Sequence, residues 1–267
     1  MRRMISGGLA LAVLTACAPA PDDGDGAGSP TSGAGVERLD VEVVEELPHD
    51  PEAFTQGLEI AGDTLYEGTG LVGESSVRAG PVGGEPEIVR PLPEPLFGEG
   101  LTVVGDRVWQ LTWQAGVAIE RDRDTLAERR RVRYDGEGWG LCHREEADEL
   151  VMSDGSARLT FRDPADFSVT GSVTVTESGT ELAELNELEC VGDAVYANVW
   201  HSDVLRRIDV DSGRVTARID ASGLLTPDER ADADVLNGVA KYPGSDEFLL
   251  TGKLWPTMFR VRFVPQG

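Results

Sequence analysis

The chain has 267 residues and a formal net charge of −24, from 48 acidic and 24 basic residues. A surface this negative repels phosphate groups, which argues against nucleic acid as a partner. The negative charge is typical of solubility or adaptation to salt. It also attracts substrates that carry an ammonium group. The length suits one folded domain, because all-β barrels and propellers often reach this size around a single core.

The first residues are typical of a bacterial lipoprotein signal. Two arginines precede a short apolar run, and small residues stand directly before Cys17. We therefore predict a signal peptide over residues 1–16 and a lipidated Cys17, which would attach the exported protein to the outer face of a bacterial cell membrane. The alternative is an ordinary cleaved signal with an incidental cysteine. Residues 17–38 are mostly small and polar and are expected to form a flexible tether, which leaves residues 39–267 as the folded domain.

One short phrase recurs five times along this domain. Each copy begins with a polar or aromatic residue, continues in most copies with a glycine, and ends with an aliphatic residue. The first residues of the five copies are Gln56, Glu99, Trp139, Asn186 and Asn237. Their spacings of 43, 40, 47 and 51 residues are those of propeller blades with four strands each. The repeats predict an all-β, five-bladed β-propeller of antiparallel blades. The alternative is an open β-sandwich.

Turns and strands follow each phrase in the same order. Gly-Asp pairs at residues 62–63, 105–106 and 192–193 are typical of tight hairpins. The last repeat is one strand short, and we expect the strand over residues 40–45 to complete it and close the ring. Short helices are expected at residues 176–183 and 226–233, where Pro227 suits a first helical turn.

In a propeller the five recurring positions would converge at one mouth of a central channel. Four further residues are expected to join this group, because they fall on second strands or the loops after them: Trp113, Trp200, Lys253 and Trp255. Trp109 is assigned to packing. The three histidines have no zinc-ligand spacing. With Cys17 lipidated, Cys142 and Cys190 remain, either bonded to each other in an oxidising compartment or free.

The sequence resembles the glutamine cyclotransferases of plants and bacteria over nearly the whole domain. The resemblance rests on segments in a fixed order: residues 48–58, 97–101, 138–141, 185–189, 197–200, 236–240 and 251–255. It implies a five-bladed propeller that converts the N-terminal glutamine of peptides or proteins to pyroglutamate and releases ammonia. It also implies that no metal or other cofactor takes part, and we expect a monomer.

The resemblance also implies roles for individual residues. Glu99 would bind the α-ammonium group and act as general base and then acid. Lys253 would polarise the carbonyl of the side-chain amide or give a proton to the departing ammonia. Gln56 and Asn186 would bind the substrate by hydrogen bonds. An aromatic cage would exclude water and fold the glutamine side chain; its members are Phe54, Phe97, Trp113, Trp139 and Trp200.

One feature departs from the family pattern: cysteines follow two of the recurring phrases on neighbouring blades, which predicts a Cys142–Cys190 disulfide.

The site residues also have structural alternatives. The tryptophans could belong to the hydrophobic core, and the side-chain amides could only form hydrogen bonds with backbone groups. Two other functions remain open at this point. A calcium-dependent lactonase would use the oxygens of Glu99, Asn186 and Asn237, although Lys253 argues against a metal. A non-catalytic propeller would bind peptides or proteins with the same residues.

Overall fold

Short antiparallel strands make up nearly all of the fold. A computed structural model describes residues 35–267, so the predicted signal peptide, the lipidation site at Cys17 and most of the tether lie outside the described residues. Strand β1 (Glu37–Pro48) comes first. The first sheet contains β2 (Thr55–Ala61), β3 (Thr64–Thr69), β4 (Ser76–Pro81) and β5 (Ile88–Pro91). The second contains β6 (Gly98–Val104), β7 (Arg107–Thr112), β8 (Val117–Asp122) and β9 (Glu128–Arg133).

The third four-stranded sheet contains β10 (Leu141–Arg144), β11 (Glu149–Met152), β12 (Arg158–Arg162) and β13 (Val169–Thr174). After the short strands β14 (Thr176–Glu177) and β15 (Thr180–Glu181) come β16 (Leu185–Val191), β17 (Ala194–Val199), β18 (Val204–Asp209) and β19 (Arg214–Asp220). The last strands are β20 (Leu236–Lys241), β21 (Glu247–Gly252) and β22 (Thr257–Pro265). A 3₁₀ turn spans Glu145–Ala147, and helix α1 spans Pro227–Asp232.

Strand β1 joins the two ends of the domain. It pairs antiparallel with β22, as the missing fourth strand of the last repeat required. It also pairs in parallel with β19 at its beginning, between Glu37 and Ala217, which the sequence did not indicate. The strands β16–β19 and β20–β22 therefore share one continuous sheet with β1. In this way β1 covers the edge that β22 would otherwise expose.

The predicted Gly-Asp hairpins are present. Ala61 pairs with Thr64 across the first turn, and the other two turns have the same two-residue length. Gly62 has a φ of 69°, a conformation that glycine adopts without the steric cost borne by other residues. The helix predicted at residues 226–233 is confirmed as α1, with a capping box between Thr226 and Glu229. The helix predicted at residues 176–183 was wrong, because Gly179 at a φ of 84° turns this segment into the β14–β15 hairpin.

The first strands of the sheets contact one another in a cycle, β2 with β6, β6 with β10, β10 with β16, β16 with β20 and β20 with β2. The approach is close because four equivalent positions carry glycine; this glycine ring consists of Gly57, Gly100, Gly140 and Gly238. A Cβ atom on Gly57 would lie 2.6 Å from the Leu101 nitrogen, which is too close for any side chain.

The fifth equivalent position holds a glutamate. Glu187 is buried and its carboxylate accepts hydrogen bonds from the backbone nitrogens of Leu58 at 3.3 Å and Val239 at 2.8 Å. Those two residues directly follow Gly57 and Gly238 of the glycine ring. Glu187 thereby ties β16 to both β2 and β20 at the centre of the fold.

Core residues fill the spaces between neighbouring sheets. Trp109 is fully buried against Phe167 and donates its indole N–H to the carbonyl oxygen of Pro164, so its assignment to packing is confirmed. Cys142 in β10 and Cys190 in β16 form a disulfide with a Cα–Cα distance of 5.4 Å. Within residues 35–267 no helix has the length and apolar character needed to cross a membrane.

Candidate functional site

Four of the recurring polar residues lie at the second position of their strands. Gln56, Glu99, Asn186 and Asn237 begin β2, β6, β16 and β20 in this way and all are buried, while Trp139 stands just before β10. Because the first strands contact one another in a cycle, these residues lie at the equivalent end of each first strand.

Three of them form a hydrogen-bonded chain. The Asn237 side-chain amide donates to Oε1 of Gln56 at 3.1 Å, and Nε2 of Gln56 donates to Oε1 of Glu99 at 3.2 Å. The same Asn237 amide also donates to the carbonyl oxygen of Thr55 at 3.0 Å. Gln56 is thus held with its amide nitrogen toward the Glu99 carboxylate.

The two charged residues that the resemblance singled out are both buried here. Desolvation raises the pKa of Glu99 well above its ordinary value; Lys253 opposes this rise and Glu137 adds to it. Desolvation likewise lowers the pKa of Lys253, against the opposing charges of Glu99 and Asp234. The ammonium nitrogen lies 4.7 Å from the centre of the Phe54 ring. The site therefore holds a carboxyl group and an amine whose pKa values are shifted toward each other.

The loop that carries Lys253 is fixed by contacts with the segment before β2. The Leu254 nitrogen donates to the carbonyl oxygen of Ala53 at 2.7 Å, and Nδ1 of His49 donates to the carbonyl oxygen of Trp255 at 2.7 Å. The Trp255 indole is buried and donates to the carbonyl oxygen of Asp234 at 2.9 Å. This tryptophan therefore packs against the segment before β20.

Sequence reasoning missed the part played by His49. Its Nε2 lies 3.0 Å from Oε1 of Glu67, and both residues are buried. Although desolvation opposes it, the hydrogen bond and charge of Glu67 raise the pKa of His49 above its ordinary value. The histidine stands in the segment over residues 48–58 that carried the resemblance, and this was the signal available.

The predicted aromatic cage comes together as two groups. Phe54, Phe97 and Trp113 form one, with ring centres 6.1 Å and 5.6 Å apart. Trp139 and Trp200 form the other, with ring centres 5.7 Å apart and their planes nearly perpendicular. Trp200 is 40% exposed, which places it at the rim of the site, whereas the cage prediction had it enclosing the substrate.

Two further polar groups face this end of the fold. The Glu137 carboxylate lies between the indoles of Trp113 and Trp139 and accepts a hydrogen bond from each. Sequence reasoning missed Glu137, whose signal was its place two residues before the recurring position Trp139. The side-chain oxygen of Asn186 is buried and has no hydrogen-bond partner among the described residues.

Comparisons with known proteins identify the family of the chain. A sequence model described as glutamine cyclotransferase matches residues 9–263. The chain belongs to the glutamine cyclotransferase family.

Two relatives in the glutamine cyclotransferase family show how far the similarity extends. A glutaminyl-peptide cyclotransferase of Arabidopsis thaliana is 40% identical over 230 residues, which cover 84% of this chain and 71% of the plant protein. The crystal structure of Myxococcus xanthus glutaminyl cyclase matches with a TM-score of 0.78 and 38% identity; the match covers 87% of this chain and all of that one.

The chemistry open to this member of the glutamine cyclotransferase family follows from the groups present. Within residues 35–267 no group of three or more histidine, cysteine, aspartate or glutamate side chains is arranged to hold a metal ion. The site instead offers a buried carboxyl group, a buried amine, oriented amides and aromatic faces. Such groups can bind a cationic amine and a carboxamide together and move a proton between them.

Proposed function

We propose that this chain is a glutaminyl-peptide cyclotransferase that converts the N-terminal glutamine of peptides to pyroglutamate and releases ammonia. The observation that carries the proposal is the pair of buried, oppositely charged groups, Glu99 and Lys253, at the end of the fold where the amides and aromatic rings converge. The family membership and the relatives named for this activity support it.

The reaction needs one bond to form and one to break. The substrate's α-amine attacks its own side-chain carboxamide carbon, a C–N bond closes the five-membered lactam, and the bond to the amide nitrogen breaks. Glu99, with its raised pKa, takes a proton from the α-ammonium group so that the neutral amine can attack, and this proton passes to solvent. After the attack, Glu99 takes a second proton from the attacking nitrogen and gives it to the leaving nitrogen, which departs as ammonia. A carboxyl group whose pKa lies close to the working pH is suited to both transfers.

The remaining side chains bind and orient the substrate. Lys253 stabilises negative charge on the amide oxygen in the transition state, and the free Asn186 oxygen accepts a substrate N–H. Gln56 keeps its orientation through Asn237. The rings of Phe54, Phe97, Trp113 and Trp139 enclose the glutamine side chain, and Trp200 contacts it from the rim. Holding amine and amide in contact removes much of the entropic part of the barrier.

We propose in addition that the strands form five blades around one axis. The cyclic contacts of β2, β6, β10, β16 and β20 support this, as does the closing strand β1. An experimental structure with another number of radial sheets would reject it.

We also propose that Cys17 is lipidated after export and anchors the protein to the outer face of the cell membrane. The apolar run and the small residues before Cys17 support this. The expected result is that the expressed protein partitions into detergent and that Cys17→Ser partitions into the aqueous phase. Aqueous partitioning of the unaltered protein would reject the anchor.

The activity is tested with the purified chain, a glutaminyl dipeptide and a metal chelator. We expect ammonia release and a product lighter by one ammonia. Glu99→Gln and Lys253→Ala should each lower kcat/KM by at least about 100-fold, because each removes a group that acts in the transition state. Lys241→Ala is the matched control, since Lys241 is the chain's other lysine and lies at the opposite end of its strand from Asn237.

The other outcomes identify the competing functions. Binding of the dipeptide without any product would show a peptide-binding protein. A hydrolytic activity that appears only with added calcium would show a lactonase. Either result would overturn the proposed cyclotransferase.

A further inference from the structure

The loop between β9 and β10 places one carboxylate against two indoles of the site. Oε2 of Glu137 accepts the indole N–H of Trp113 at 2.7 Å and that of Trp139 at 3.0 Å. Its other oxygen accepts a hydrogen bond from the side-chain amide of Gln114 at 3.0 Å. We propose that Glu137 is a positioning residue for cyclisation, which orients Trp113 and Trp139 around the substrate. This inference rests on the proposed function.

The backbone on both sides of Glu137 is fixed. The Gly138 nitrogen donates to the carbonyl oxygen of Trp113 at 3.1 Å, and the Trp139 nitrogen donates to that of Ser153 at 3.0 Å. A Cβ atom on Gly138 would collide with the hydroxyl of Tyr134, which itself donates to the carbonyl oxygen of Thr112. The loop therefore delivers the Glu137 carboxylate to one place between the indoles.

These hydrogen bonds limit what the two tryptophans can do. An indole has one donor and no acceptor, and in Trp113 and Trp139 that donor is already used by Glu137. Hydrogen bonds to a carboxylate are stronger than neutral ones and hold the ring planes in place. The substrate consequently meets the faces and edges of these rings, and hydrogen bonds to it come from other groups.

Glu137 also contributes a charge close to the proposed base. The titratable groups that interact with Glu99 are Lys253, Glu137 and Tyr134. Lys253 lowers the pKa of Glu99 and Glu137 raises it. Hydrogen bonds from Trp139, Gln114 and Trp113 outweigh desolvation and lower the pKa of Glu137, so it remains charged when Glu99 takes a proton.

Two variants separate the hydrogen bonds from the charge. Glu137→Gln keeps an oxygen that can accept both indole N–H groups, so kcat/KM above the pKa of Glu99 should stay within about threefold of wild type. The acid limb of its pH profile should move down by about half a pH unit, because the neighbouring negative charge is gone.

The variant Glu137→Ala also removes the acceptor. Its kcat/KM should fall about tenfold or more, and its tryptophan emission should change. Gln114→Ala, which loses only the exposed third contact, is the control and should match wild type.

A double-mutant cycle with Trp139→Phe, which lacks the ring N–H, tests the coupling. The combined loss in Glu137→Ala/Trp139→Phe should be smaller than the product of the single losses. Losses that multiply fully, or a Glu137→Ala variant with unchanged kcat/KM and emission, would overturn the proposal. A wild type with no cyclase activity would instead reject the proposed function. In that case, comparing the tryptophan emission of Glu137→Ala with that of Gln114→Ala would still test the contacts of Glu137 with the two indoles.

Discussion

At the scale of single residues, Gln56 is the side chain that donates a hydrogen bond to the Glu99 carboxylate. Its amide nitrogen faces the carboxylate, and Asn237 prevents the amide from turning over. Both contacts require a neutral amide at this position, because it must donate on one side and accept on the other.

Gln56→Glu is therefore expected to disturb the site without changing its shape. A second carboxylate next to Glu99 raises the pKa of that group further. We expect kcat/KM near neutral pH to fall at least about tenfold and the acid limb of the pH profile to move to higher pH. The matched control is Gln266→Glu, which adds the same charge at the exposed chain end and should leave the profile unchanged. An unshifted acid limb in Gln56→Glu would show that Glu99 is not the group that titrates.

The sequence was sufficient to place these residues but not their contacts. Gln56, Glu99, Asn186 and Asn237 could be aligned because the repeats put them at the same strand position. Glu137 and His49 could not be found in this way, since each acts through hydrogen bonds to residues that only the folded chain brings near. The exposure of Trp200 could not be predicted for a related reason: nothing in its repeat position distinguishes a rim from an interior.

At the scale of the elements, the close approach of the first strands depends on the glycine ring. Gly140 is its tightest member, because a Cβ atom there would overlap the carbonyl oxygen of Asn186. The backbone must give way, as no side-chain movement can relieve this overlap.

Gly140→Ala is expected to lower the free energy of unfolding by about 2–4 kcal/mol, because it forces β10 away from β16. Denaturant unfolding followed by circular dichroism measures this. Gly35→Ala is the control, since a Cβ atom on Gly35 would meet nothing within 4 Å. Equal stability of Gly140→Ala and Gly35→Ala would mean that these strands are not closely packed.

The strand order could be predicted from the repeats, whereas the β1–β19 pairing could not. Period-2 patterning and the Gly-Asp turns fix which strands are neighbours along the chain. The parallel pairing of β1 with β19 depends on how the last two groups of strands meet in space, and no local pattern records that. The mistaken helix at residues 176–183 shows the same limit, as acidic residues before a glycine suit a hairpin as well as a helix.

At the scale of the whole molecule, three further buried carboxyl groups with raised pKa values follow the recurring polar residues along the first strands. Desolvation raises the pKa of Glu59 to about 7. Glu189 and Glu187 are raised for the same reason, and the charge of Glu59 adds to both shifts. These groups favour the folded state when protonated. The contribution of Glu59 is complete below its ordinary pKa of 4.5 and is lost as the pH rises through about 7.

Glu59→Gln should remove part of this dependence. The glutamine oxygen still accepts the Val103 N–H that Glu59 accepts at 2.9 Å, but no charge forms at high pH. Between about pH 5 and pH 8, wild type should lose on the order of 1–3 kcal/mol of stability relative to Glu59→Gln. Urea unfolding at both values measures it, with Glu46→Gln on the exposed face of β1 as the charge-matched control. A wild type that becomes more stable than Glu59→Gln on the alkaline side would contradict the sign.

The glycine ring also bears on which substrates suit the proposed reaction. At Gly57, Gly100 and Gly140 neighbouring first strands approach to backbone contact, and the Glu187 carboxylate joins two more of them just beyond the recurring polar residues. In the proposed cyclotransferase, the N-terminus of a substrate would approach Glu99 and Lys253, both buried, from the side where Trp200 is exposed. We therefore expect proteins whose N-termini project freely from their own fold to be the better substrates.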